Sequence, residues 1–244
     1  MIRVRRAETL GAVRSETFEL RCHFAFATYQ DPVHQHDGQL RVLNLGALRP
    51  SETYSLGAEA AVDILTWVQA GSLTAQIEDF APEVIQTEGL HLISTGSCCQ
   101  TLGWKAGAEG ATFLQFWFLA DTEDGLARQE SRKRFSQADD GGFRVLASGF
   151  PEDDPEEWGT ITDGAPVTLS AGVRLLHATI RAGEGAAYNT TLARDLYLVV
   201  VSGVVRVEGT ILNAGDAVTV RSVVTLAVMA DERAVVLLAD VAVG

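Results

Sequence analysis

The chain is short of the residues that usually announce chemistry. Its 244 residues include 3 cysteines and 5 histidines. The cysteines are Cys22 and the adjacent pair Cys98 and Cys99. An odd number without C-x-x-C spacing argues against a disulfide framework and against a thiolate metal site, so they read as packing residues in a reducing compartment. Basic residues are scarce too. Lys plus Arg total 19 against 32 Asp plus Glu, a net charge of -13, which repels a phosphate backbone and argues against nucleic-acid binding. No apolar run reaches the roughly 20 residues of a membrane span, and the opening MIRVRRAETLGAV lacks the apolar centre of a secretion signal. A cytoplasmic protein without membrane contact is expected. Phosphate-binding G-x-x-x-x-G-K-[ST] is absent, and neither TDGAP nor SAGVR is a nucleophile elbow.

What is present is strand. LRVLNLGAL, DILTWVQAG, SLTAQIED, HLISTG and TFLQFWFL come first, and VRLLHATI, LYLVVVSG, VVRVEG, AVTVRS and AVVLLADVAV later. All are rich in β-branched or aromatic residues and punctuated by glycine. An all-β protein of two antiparallel barrels or sandwiches is expected, related by internal duplication, with residues 57–76 forming a strand, a glycine turn and a second strand. Composition shifts at the acidic, proline-bearing FPEDDPEEWGTITDGAP. The expected division is an N-terminal domain over 1–135, an acidic linker over 136–165 and a C-terminal domain over 166–244.

FAFATYQDP (24–32), LRVLN (40–44), DILTWVQAGSL (63–73), LISTG (92–96), LQFWFL (114–119) and RQESRKRF (128–135) resemble, in order and spacing, successive landmarks of the bacterial pirin-like proteins. These are bicupins, built of two jelly-roll barrels. The resemblance implies one Fe(II) or similar ion in the N-terminal barrel, none in the C-terminal one, and in some members cleavage of the flavonol quercetin by dioxygen. It also implies a His-x-His pair before DILTW and a His-x-Glu pair after LISTG. Gap-free matching puts these four ligand positions at Gly57, Glu59, Thr101 and Gly103. None is a histidine. Two glycines and a threonine remove imidazole donors outright, and Glu59 with Asp63 alone makes a poor transition-metal site, so no metal or other cofactor is expected.

The five histidines stand elsewhere and are the possible substitutes. His34 and His36 in DPVHQHDGQL form the one His-x-His, some 20 residues early and in a loop; they are the alternative anchor, together with Glu59, for a dioxygenase with unorthodox ligands. His23, His91 and His177 read as strand or core residues. Glu59, Asp63 and Trp67, with Thr101, Trp104, Gln115 and Trp117, are expected to line an N-terminal cavity suited to a small organic molecule. Two close buried acids, Glu59 and Asp63, would also permit metal-independent acid/base chemistry. The leading expectation is a metal-free protein that binds a small molecule or regulates others; the identity of any protein partner is open. The C-terminal interior is expected to be apolar.

Overall fold

The computed structural model describes residues 1–122, 125–134, 141–153 and 166–243. The regular elements among the described residues are strands, apart from two 3-10 turns, Ala7–Thr9 and Pro151–Asp153. No helix among them is long and apolar enough to cross a membrane. They form two compact units.

The N-terminal unit comprises Gly11–Arg134 and, from far along the chain, Leu169–Ala171. Its nine strands share one sheet that runs Arg128–Arg132, Leu90–Ser94, Val62–Ile77, Leu102–Leu119, Leu40–Leu48, Phe18–Cys22 and Gly11–Arg14. Thr53–Leu56 and Glu83–Gln86 pair beside this path. Val62–Ile77 is a single strand, not the expected hairpin. It bends where the register shifts, between Val68 and Leu73, and then changes neighbour from Leu90–Ser94 to Glu83–Gln86. Glycine makes the bend possible. Gly71 has φ +75°, and a Cβ there would lie 2.1 Å from the Gly110 carbonyl oxygen, a contact no side chain tolerates. Leu102–Leu119 likewise pairs with Thr53–Leu56 through its first half and Leu40–Leu48 through its second. Both halves turn their inner faces to one core of Leu20, Val42, Ile64, Leu73, Trp104, Phe113 and Trp117, among others.

The C-terminal unit has two sheets. One runs Ile2–Arg5, Ala217–Val220, Arg194–Ser202, Ala234–Ala242, Val173–Ile180, Arg144–Ser148 and Val167–Thr168; the other runs Gly185–Asn189, Thr225–Ala230, Val204–Val207 and Thr210–Asn213. The last two strands show local sequence at work. Glu208 and Gly209 both have positive φ (47° and 76°), the two-residue turn whose twist suits a tight hairpin. Between the sheets lies a core of Val, Leu, Ile and Ala side chains, including Leu176, Leu198, Val205, Val228 and Leu238. Polar groups enter it at Tyr188, itself a core residue, and at Asp240, which is fully buried. Its carboxylate accepts from the Tyr188 hydroxyl (2.5 Å), Arg194 (3.2 Å) and Thr190 (3.3 Å). Arg174 lies 3.6 Å away, donating to Tyr188 and to Asp153. Arg194 also donates to Glu152 at 2.7 Å and covers the Phe150 ring at 3.5 Å.

These units correct the expected division at three places. Residues 1–10 belong to the C-terminal unit, because Ile2–Arg5 completes the edge of its sheet. Part of the expected linker is also C-terminal strand, Arg144–Ser148 pairing with Val173–Ile180, whereas 154–165 lies outside the described residues. Leu169–Ala171 is built into the N-terminal unit, its ends Leu169 and Ala171 buried and Ser170 hydrogen-bonded to Ser94 (3.0 Å) and to the Asp121 amide (2.9 Å). Composition marked the linker, but pairing partners decide a boundary.

Candidate functional site

The four positions matched to metal ligands lie where Thr53–Leu56 runs on past Leu102–Leu119. Ser55 pairs with Gly103 and Leu56 with Leu102, and Glu59 and Cys99 exchange backbone hydrogen bonds at 2.8 and 3.0 Å. This register sets Gly57 across from Thr101. Gly57 and Thr101 are exposed, and a Cβ at Gly57 would meet nothing within 4 Å. A Cβ on Gly103 would face the Gln76 carbonyl oxygen at 3.4 Å and Ser55 Oγ at 3.6 Å, two exposed residues. Its neighbours Leu102 and Trp104, with Tyr54 and Ala75, belong to the core. Alternation along a strand therefore turns Gly103 away from the interior, and the four positions do not converge inside the barrel. The inward residues are Leu102 and Trp104, which offer no ligand atom. Among the described residues no group of three or more His, Cys, Asp or Glu side chains could hold a metal ion. The donor set does not fit the ion that the resemblance implies.

His34 and His36 do not repair it. His34 Nδ1 lies 2.9 Å from Asp31 Oδ2, which also accepts from the Tyr29 hydroxyl at 2.6 Å. That hydroxyl, with further donors from His34 and two backbone amides, outweighs burial and holds the Asp31 carboxyl far below the usual carboxylate range. His36 Nδ1 lies 3.1 Å from the Gly38 carbonyl, and Arg41 donates to the Gln35 carbonyl at 2.9 Å. Both rings serve the loop that carries them, and they do not gather with Glu59. Glu59 is half-buried; burial raises its carboxyl, an effect partly offset by the charge of Arg41.

Asp63 and Trp67 are on the other side of the sheet. Ala61 sits at φ +53°, and a left-handed residue resets the alternation, so Glu59 and Asp63 do not share a face as their spacing implied. Asp63 pairs with Ser94 and Phe118, and Trp67 with Leu90 and Leu114, none of them part of the inner core. The Asp63 carboxylate accepts from the Ser170 amide, and burial pushes its pKa up against that bond and one from Ser94. Glu59 and Asp63 thus form no acid/base pair. Of the seven expected cavity residues the structure keeps Trp104, Gln115 and Trp117 on the inner face, with Glu59 half-buried across from the core residue Cys99.

Gln115 is one member of a polar belt. Cys22 pairs with Asn44, Asn44 with Gln115, Gln115 with Thr66, and Thr66 with His91. Paired residues of antiparallel strands share a face, and the flanking inner-core residues Val42, Phe113, Trp117, Ile64, Val68 and Ile93 show that this face is inward. Five adjacent strands thus present one row across the barrel interior, and every member is fully buried. Gln115 Nε2 donates to Thr66 Oγ1 at 3.2 Å, and His91 Nε2 lies 3.4 Å from Gln129 Oε1. Both amide atoms of Asn44, Gln115 Oε1 and His91 Nδ1 have no protein partner, nor does Trp117 Nε1 in the next row. Burial lowers the His91 pKa, leaving a neutral ring, and pushes the Cys22 thiol up to about 11. The belt can form hydrogen bonds, and it holds no charge. Asn44 and Thr66 escaped notice and His91 was taken for an ordinary strand residue, although VLNLG, ILTWV, LHLIS and FLQFW each place a polar residue inside an apolar strand.

Two β units of this kind in one chain, with an N-terminal barrel offering a polar interior, define a bicupin. A family model described as the quercetinase C-terminal cupin domain matches residues 161–241. A pirin-like protein of Caulobacter vibrioides is 30% identical over 237 residues, 96% of this chain and 97% of that one. A protein of Pseudomonas aeruginosa named "Putative quercetin 2,3-dioxygenase" is 31% identical, covering 99% and 100% of the two chains. Among solved structures, the bacterial pirin YhhW of Escherichia coli in complex with nickel(II) superposes with a TM-score of 0.85 at 20% identity, over 99% of both chains. The chain belongs to the pirin-like family of cupin proteins.

Proposed function

We propose that this chain is a pirin-like bicupin that works without a transition metal and binds a small organic molecule inside its N-terminal barrel, in the reducing environment of the cytoplasm. What the barrel interior presents carries the reading: several polar atoms without protein partners and, among the described residues, no set of metal donors. A buried polar atom without a partner costs about 1–3 kcal/mol, so a row of them in an otherwise apolar core is expensive unless something is bound there. Protein purified without chelator should carry well under one Fe, Mn, Ni, Cu or Zn per chain by plasma mass spectrometry. Its melting temperature should not respond to added Fe(II) or Ni(II), since an ion that binds only the folded state would raise it. Stoichiometric metal in the N-terminal unit would defeat the reading and favour the alternative, a quercetin 2,3-dioxygenase, which the names of full-length relatives support.

A further inference from the structure

We infer that the belt recognises an uncharged, amide-like group, a carbonyl beside an N–H, on the ligand it binds; this rests on the small-molecule reading above. Asn44 offers a carbonyl and an amino group side by side, both without protein partners, the complement of a second amide. Gln115 Oε1 adds an acceptor on the adjoining strand, and Trp117 Nε1 adds a donor one row away. An ionised ligand would find no counter-charge. The row consists of Cys22, Asn44, Gln115, Thr66 and His91, all fully buried, and an ion placed among uncharged groups loses hydration that dipoles alone do not replace. The ring of Phe26 stands edge-on to Trp117, centroids 5.4 Å apart, giving the amide an aromatic wall.

Matched probes test the class on the full chain. Acetamide and benzamide should shift the Trp117 indole N–H resonance at millimolar concentration, and acetate and benzoate should not. Asn44→Leu should weaken amide binding at least tenfold and raise the melting temperature, because it removes two polar atoms that have no partner. Gln115→Met provides a second variant with the same pair of expectations. If the carboxylates shift Trp117 as strongly as the amides, the ligand class is wrong and the small-molecule reading stands. If no probe shifts it, the amide inference is overturned. The broader reading then falls as well if both variants melt below the wild type, and survives if both melt above it.

Discussion

In the C-terminal unit the fully buried Asp240 is met by Tyr188, Thr190 and Arg194. In the N-terminal unit Asn44 is as deeply buried, and neither of its amide atoms has a protein partner. Both residues interrupt apolar strands at inward positions, so sequence pattern alone would treat them alike. The difference lies in what surrounds them. A buried polar group enclosed by partners fixes one packing arrangement, whereas one without partners lowers stability and suits a site that something else completes.

The hardest test of this contrast is Asp240→Ala. It leaves Arg174 and Arg194 without their innermost carboxylate, and should cost about 3–5 kcal/mol in denaturant unfolding; a loss under about 1 kcal/mol would mean that the ionic cluster is ornamental. Next come two acids of opposite sign. Burial alone would raise the Asp216 carboxyl, but the amides of Ala7 and Asn213 and the guanidinium of Arg6 hold it below its usual value. Its stabilisation is therefore present above pH ~4, the unfolded value, and is lost as pH falls through the lower folded value. Asp63 is raised, so the folded state binds the proton more tightly. No penalty exists below pH ~4, and stability falls as pH climbs from there through the raised folded value. Asp216→Asn should cost about 1.5–3 kcal/mol at pH 7, a loss that fades in acid. Asp63→Asn should melt higher than wild type at pH 7, and that advantage should shrink toward pH 4. Melting curves at both pH values check the pair; equal signs would erase the distinction. The smallest effect is that of Gly46→Ala. A Cβ there would lie 2.2 Å from the Phe113 ring, beside the belt, and should cost about 1–2 kcal/mol by overpacking. A neutral result would show that this part of the N-terminal interior is looser than the C-terminal core.

Much of the fold was legible. LRVLNLGAL is the strand Leu40–Leu48, and AVVLLADVAV supplies Ala234–Ala242, because short apolar runs bounded by turn residues bury themselves well as strands covered on both faces. The bent strand through Gly71 was misread as a hairpin, since a glycine ending a strand and one curling a strand look alike until the neighbouring Gly110 is seen. The site was less legible. The spacing of Glu59, Asp63 and Trp67 promised one face, and the single left-handed residue Ala61 undid it. Asn44, Gln115, Thr66 and His91 lie far apart in sequence and become a row only through the registers of three strand pairs.

One edge of the C-terminal unit bears on how the chain is made. Ile2–Arg5 pairs with Ala217–Val220, and the amino group of Met1 donates to the Arg221 carbonyl at 2.7 Å, 220 residues away. During synthesis this strand leaves the ribosome before the N-terminal unit and waits for a partner translated after it, while the compact N-terminal unit can fold in between. Until then it is an unpaired strand with open hydrogen-bonding groups, tempered by Arg3, Arg5 and Arg6, whose like charges resist pairing with a second nascent copy. A strand made before the N-terminal unit finds its place only after that unit has been made.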